Sequence, residues 1–492
     1  MSGADSPLRV RLRDDVERCD GGRLLVGGSP LRAVRLSPAA TRIVGAGTFL
    51  ADGTAATALA GRLLDGNLAD PEPGGPVDAA LLTVVVPVRD RAASLDRALA
   101  ALAGVAVIVV DDASRDPVAV AEVAARHGAE LVALPVNRGP AGARNAGLAR
   151  ATTPYVAFVD SDVTVSADTL RGLAAHLADP RVALVGPRVR GSWAGETGAW
   201  QAKYCLSSAS FPGRPGKPTA RPRWFERYDV LASSLDLGPR PAAVRPGAAV
   251  GWLPSACLVG RRSALGDGFT AELRVGEDVD LVWRLVAAGH VVRYDPAYEA
   301  GHEVRGSVRG WLGRKVLYGS GGAELAARHG DAVAPAVLSP VMAAGAAALL
   351  VGRWRGLPVA GAVLAYAVRQ VDLALPEGAG RGVAARLGVR GLGWALRQEA
   401  ALLLRHWWPA TAVAALVSRR ARRAVLSALV VDAVVAWSQH GRAAAHPAMW
   451  VARRLDDVAY GAGLWLGAWR RRSGACLRPV SGSRRRRRSP RG

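Results

Sequence analysis

The hydrophobic pattern changes period several times along the chain, and each change marks a different kind of structure. From Leu81 onward, short apolar runs alternate with Ala-rich segments of helical period: LLTVVVPV, a helix through SLDRALAALA, VAVIVVDD, a helix from Asp116 to His127, AELVALPV, a helix containing GARNAGLARA, and PYVAFVDSDV. Strands apolar on both faces and separated by helices predict a parallel, doubly wound α/β sheet covered on both sides. Ligands of such sheets bind beyond the carboxyl ends of the strands.

Upstream, residues 1–70 read as a small α+β domain. Alternation through Arg9-Val10-Arg11-Leu12, a Gly21-Gly22 turn and Leu24-Leu25-Val26 predict a hairpin, Ser37-Pro38 opens a helix, and a second helical run covers Ala55 to Leu64. Pro71, Pro73, Gly74, Gly75 and Pro76 place a linker at 71–80. Downstream of a domain over 81–310, residues 311–478 predict an all-α region, and Arg484 to Arg488 lie in a basic tail over 479–492 of disordered composition.

Within that helical region Ala332 to Gly352 carries no charge and is long enough to cross a bilayer, with shorter uncharged runs at Gly356–Val368, His406–Ser418 and Ala424–Val431. A single crossing at 332–352 from a cytosolic domain would carry Arg353 and Arg355 outward, against the usual charge bias. The expectation is therefore interfacial or re-entrant helices at the cytoplasmic face of the membrane, with Arg419, Arg420, Arg422 and Arg423 on an anionic lipid surface. A soluble, cytoplasmic, Ala-rich helical domain is the alternative.

Composition sharpens this division. The chain of 492 residues has a formal net charge of +23 and is 50% hydrophobic, which excludes disorder as a description of the whole. Residues 301–492 hold 30 basic and 9 acidic side chains, so nearly all the excess lies in the helical third. No zinc-finger, helix-turn-helix or RNA-binding signature accompanies it, and no nucleic-acid partner is expected. Cys19, Cys205, Cys257 and Cys476 are too scattered for a zinc site or a disulfide framework, which suits a reducing compartment. The opening MSGADSPLRVRLRDDVERCD has no apolar stretch of the kind a secretory signal needs.

Candidate chemistry stands at the strand ends: Pro87-Val88-Arg89-Asp90-Arg91, Asp111-Asp112-Ala113-Ser114 and Asp160-Ser161-Asp162. A lone Asp there is ordinarily a helix cap, but three converging clusters point to a site. An Asp-x-Asp pair suits a hard divalent cation, Mg²⁺ or Mn²⁺, with positions left for phosphate oxygens.

The segments VVVPVRDR (84–91), VVDDASRD (109–116), NRGPAGARNAGL (137–148), YVAFVDSDV (155–163) and VGEDVDLVWRL (275–285) together resemble the family 2 glycosyltransferases of GT-A fold. That resemblance implies a nucleotide-sugar donor. It places Pro87, Asp90, Asp111 and Asp112 around the base and ribose, with a carboxylate accepting from uracil N3–H and so favouring UDP. It sets Arg144 beside the diphosphate, a plain surface Arg being the alternative. By the same resemblance Asp160 and Asp162 flank the metal, Asp162 more directly, and His302 is a third ligand unless it is merely structural. Asp278 is the general base of an inverting transfer with Glu277 orienting it, and Asp280 belongs to the helix start. Trp193, Trp200, Trp224 and Trp252 are candidate sugar platforms, though tryptophans more often pack.

The opening RLLVGGSPLRAVRLSPAATRI and the stretches at 251–265 and 268–297 are similar to the glycosyltransferases of mycofactocin biosynthesis. The likeness implies β-1,4-linked glucose on a peptide-derived redox cofactor. The first 70 residues resemble PqqD-like winged-helix domains that grip peptides. The Gln-x-x-Arg-Trp motif of processive polymerases is absent. Transfer to a polyprenyl phosphate or cell-envelope glycan, and a non-catalytic membrane scaffold, are the competing readings.

Overall fold

Leu82–Val88 is the central strand of the protein, and Leu82, Val84, Val85 and Val86 are all fully buried in the computed structural model, which describes residues 8–193 and 222–482. On one side of it lie Ala106–Asp111 and Glu130–Ala133, on the other Tyr155–Val159, and these four strands are mutually parallel. Helices Ala92–Ala101, Pro117–Arg126 and Gly139–Arg150 connect them. Asp116 caps the second by accepting from the Ala119 N–H at 3.1 Å.

The expectation of a parallel sheet holds for those four strands and is corrected beyond them. Cys257–Arg261 runs antiparallel to Tyr155–Val159, and the sheet continues through Val182–Ser192, Val291–Glu303 and Val163–Thr164 with mixed directions. The strand–helix alternation that signals parallel pairing stops after Tyr155–Val159, so the sequence pattern carried no direction for the rest. The result is an α/β unit built on a central mixed sheet with flanking helices.

The described residues divide into two compact units: Pro73–Arg245 with Trp252–Trp311, which contains this sheet, and the residues up to Glu72 with Pro246–Gly251 and those from Leu312 on. In the second unit two small antiparallel sheets form. Arg9–Leu12 lies between Thr48–Leu50 and Ala69–Glu72, and Leu24–Gly27 lies between Glu17–Cys19 and Arg32–Arg35. The Gly21-Gly22 turn thus joins Glu17–Cys19, not Arg9–Leu12, to Leu24–Gly27. Arg9–Leu12 is drawn elsewhere because Val10 and Leu12 bury against Leu63, Leu64 and Leu68. Ser37 Oγ caps the helix Pro38–Val44 as its Ser-Pro start predicts. The expected linker begins later than residue 71, since Pro71 and Glu72 pair with Val10 and Arg9 in an edge strand, where a missing N–H costs no ladder bond.

The C-terminal part is helical apart from one short strand pair: Pro340–Gly352, Leu357–Ala374, Arg381–Ala401, Trp408–Val417, Arg419–His440 and Pro447–Arg470 are among its long elements. The uncharged run 332–352 is not one helix. Val337–Leu338 pairs as a strand with Val480–Ser481, and Pro340 starts the helix. Among the described residues two helices are long and apolar enough to cross a membrane, Pro340–Ala374 and Arg419–Ala445. The pair Arg381–His406 and Trp408–Val417, bent by 91°, is a third if counted as one span.

Candidate active site

Asp160 and Asp162 stand where Tyr155–Val159 ends, and strand pairing decides what surrounds them. Val163 pairs with His302 across the antiparallel Val163–Thr164 edge, so the His302 Nε2 stands 3.8 Å from Asp162 Oδ2. Arg91, from the loop after the central strand, also bonds Asp162 Oδ2, and Arg305 reaches it at 3.1 Å. Asp160 turns the other way and accepts from Arg144 at 2.6 Å.

Arg144 is buried, and its second amino group donates to Glu277 Oε1 at 3.0 Å. Gly147 sets the depth of its helix. A Cβ there would lie 2.2 Å from Val85 Cγ1, so only glycine lets Gly139–Arg150 pack so close to the central strand. Burial alone would disfavour the guanidinium charge, yet Asp160 and Glu277 reverse that and hold its pKa above the ordinary arginine value. Its two terminal nitrogens each bond a carboxylate while Nε is buried without a partner, so Arg144 ties the Asp-x-Asp loop to the Glu277-Asp278 helix.

Gly276, at φ +83°, turns the chain into the helix Glu277–Ala287. Glu277 points inward to Arg144 and to Ser255 Oγ at 3.4 Å. Asp278 accepts from the Ser255 N–H at 3.2 Å and the Val279 N–H at 2.8 Å. Removal from water, then the neighbouring Glu277 charge, push its carboxyl up to about 7, against the lowering effect of the two N–H groups and Arg144. A carboxyl poised there suits proton abstraction near neutrality. Asp280 is fully buried on Thr270 Oγ1 (2.6 Å) and Arg284 Nε (2.8 Å), a clamp inside the helix start.

The remaining candidates form a neighbouring pair of loops. Asp111 accepts from the Ser114 N–H and hydroxyl, Asp112 from the Arg138 N–H, and Asp90 from the Arg115 N–H at 2.7 Å, while Asp90 N–H donates to Ser114 Oγ. Asp111 and Asp112 are buried, Asp90 is exposed, and Pro87 is half-buried. Asp90 and Ala113 both take φ +56°, a backbone cost that the cross-linked loops impose. Of the tryptophans, Trp224 meets Trp311 edge-on at 6.1 Å and Trp252 packs against the sheet core, while Trp200 lies outside the described residues. Sequence reasoning missed Ser255, Arg91 and Arg305. The first two sat inside quoted motifs but carry no chemistry until folding sets them against carboxylates.

Residues 83–233 match the family description "Glycosyl transferase family 2". The chain is 39% identical over 491 residues, 96% of each protein, to the pre-mycofactocin glycosyltransferase of Mycobacterium tuberculosis. The chain belongs to glycosyl transferase family 2. The chain also matches an uncharacterized glycosyltransferase of M. tuberculosis, 34% identical over 235 residues that cover 46% of this chain and 92% of that one. A mannosyltransferase from Pyrobaculum calidifontis, solved with GDP-Man and Mn²⁺, aligns over 81% of this chain and 90% of its own. At a TM-score of 0.41 and 19% identity that likeness is too remote to bear on donor or metal.

The fit to a divalent cation can be judged from the side chains present. Asp162 and His302 supply an oxygen and a nitrogen 3.8 Å apart, a span that two donors roughly 2.1 Å from one ion subtend. Among the described residues no three His, Cys, Asp or Glu side chains enclose a metal by themselves. A hard cation held by one or two side chains and completed by phosphate oxygens is the arrangement such a donor set suits.

Proposed function

We propose that the chain is an inverting, metal-dependent hexosyltransferase that transfers glucose from UDP-glucose to the peptide-derived cofactor mycofactocin or its precursor. The relative named pre-mycofactocin glycosyltransferase supports the acceptor class. The observation that carries the chemistry is Asp278, a carboxyl held near neutrality and oriented by the Ser255 and Val279 N–H groups.

In this reading Asp278 takes the proton of an acceptor hydroxyl as its oxygen bonds the anomeric carbon. The bond from that carbon to the diphosphate breaks, and UDP leaves with the electron pair from the opposite face, giving inversion. Asp162, His302 and Asp160 would hold Mg²⁺ or Mn²⁺, which would supply positive charge to neutralise the diphosphate. Arg144 acts through Asp160 and Glu277, keeping base and metal loop in register, and Glu277 sets the electrostatics of Asp278. Asp90, Asp111, Asp112 and Pro87 form the base and ribose side.

The exposed apolar helices support a second reading, transfer to a polyprenyl phosphate, and in either case support an enzyme working at the cytoplasmic face of an anionic membrane. Full-length protein incubated with UDP-glucose, Mg²⁺ or Mn²⁺, and either the peptide-derived acceptor or a polyprenyl phosphate separates the two. Hexose additions by mass on the peptide-derived acceptor support the first reading, and additions only on the lipid overturn it. EDTA abolishes transfer if the metal assignment is right.

A further inference from the structure

The helix Trp408–Val417 is apolar all round apart from Thr411, yet none of its residues is buried. A helix apolar on every side belongs in an apolar medium. Val413, Leu416 and Val417 face outward at 64%, 80% and 84% exposure. Its other side forms one wall of an open apolar cavity of about 410 Å³ lined by Leu403, Trp407, Thr411, Ala414, Ala424 and Trp465, among others. That size lies within the ~300–1,000 Å³ of small-molecule sites.

The lining says what the cavity takes. Both indole N–H groups are already used: Trp407 donates to the Leu477 carbonyl and Trp465 to the His406 carbonyl, each at 2.8 Å. With only Thr411 remaining as a polar side chain, the cavity presents rings and methyl groups, which suit a hydrocarbon chain and give a polar ligand almost nothing to bond.

What the hydrocarbon belongs to follows from the rim. Ala421 and Ala424 line the cavity, and Arg419, Arg420, Arg422 and Arg423 flank them, all exposed. Arg422 caps the short helix through the Ala415 and Leu416 carbonyls, and among the described residues no carboxylate pairs with the other three. They stand in the first turn of Arg419–His440, a turn without an acidic residue. Cations are disfavoured at that positive end of the helix dipole, and an anion relieves both charges. The preceding helix ends in a π-helical turn, Leu402–His406, and the chain then bends by 91°, which lays Trp408–Val417 across its neighbour.

We propose that this cavity holds one acyl chain of an anionic phospholipid whose phosphate rests on Arg419, Arg420 and Arg423, so that Trp408–Val417 lies in the plane of the leaflet as a lipid-clamped anchor. The proposal rests on the membrane reading above and uses none of the residues assigned to the transfer chemistry, so its failure leaves the catalytic reading untouched.

The test uses the full-length protein in phosphatidylcholine nanodiscs containing a minor fraction of phosphatidylglycerol with a photoactivatable diazirine on its acyl chain. After irradiation, peptide mapping should find the label within Leu403–Ala424. The same diazirine chain on phosphatidylcholine should label that segment at least about fivefold less, given the contribution of each arginine near an anionic headgroup. Ala414→Phe fills the cavity and should remove the label. Because that variant could disturb packing, Arg419→Ser/Arg420→Ser/Arg423→Ser, altered only on the exposed rim, should independently bring phosphatidylglycerol labelling down to the phosphatidylcholine level. Equal labelling by the two lipids, label confined to the outer face of Leu357–Ala374, or full labelling in the arginine variant overturns the proposal.

Discussion

Asp278 is the side chain on which the proposed activity turns. Replacing it by Asn leaves one acceptor oxygen for the Ser255 and Val279 N–H groups, which now use one oxygen each, and removes the proton acceptor, so transfer should fall by about 10²–10⁴-fold while UDP-glucose affinity stays near wild type. With the carboxyl pushed up to about 7, it must lose a proton to act, so kcat/KM should rise with pH through about 7 and level off above it. The sign for stability is opposite. Between its unfolded value near 3.8 and about 7 the folded protein binds the extra proton, so this group's contribution to stability declines as pH rises across that window. Arg144 lowers the Asp278 pKa, so Arg144→Gln should move the acid limb of the rate profile to higher pH. It also strands two carboxylates around a buried position and should cost about 3–5 kcal/mol by chemical denaturation. A variant whose pH profile does not move would show that Arg144 has no electrostatic hold on the base.

Among the elements, the helix Gly139–Arg150 is the one whose placement matters most, since its depth against the sheet decides where Arg144 ends. Gly147→Ala inserts a methyl group 2.2 Å from Val85 Cγ1 and should destabilise by about 1–3 kcal/mol. Activity should drop further than stability alone explains, because the displaced helix carries Arg144 with it. Adding Val85→Ala should restore much of both, read by thermal unfolding and transfer rate. How much of this was legible in the sequence differs by residue. The acidic groups at Asp90, Asp111, Asp160 and Asp162 were legible because strand ends in an α/β sheet are predictable from period and length. The Arg144–Glu277 contact spans 133 positions, and nothing local to either residue encodes it.

For the whole molecule, a second cluster of charge in the helical unit matters. Lys315 and Arg405 bond Asp456, Arg405 and Arg454 also reach Asp457, and Arg453 and Arg454 hold Asp432. Lys315 and Asp456 are almost fully buried, so Asp456→Asn removes the buried negative charge that Lys315 and Arg405 face and should cost about 3–5 kcal/mol. Lys315→Met/Asp456→Leu should recover part of that loss, with Arg405 keeping Asp457 as its carboxylate, as followed by thermal unfolding in detergent. Only 11% and 17% of the apolar windows of Pro340–Ala374 and Arg419–Ala445 are buried within the protein. The full chain should accordingly stay with the membrane pellet after a high-salt wash, and release by salt would mean that charge alone holds it there.

The sequence by itself determined the α/β class, the four parallel strands, the order of the chemical motifs and the segregation of positive charge to the helical third. Each of these is written in short-range period, composition or spacing. Tertiary structure alone decided that Arg144 faces two carboxylates, that Ser255 serves both Glu277 and Asp278, and that the uncharged run at 332–352 breaks into strand and helix. Those outcomes depend on which distant groups share a dry space. The free energy of a buried charge is fixed by its neighbours there, and not by the residues beside it in the chain.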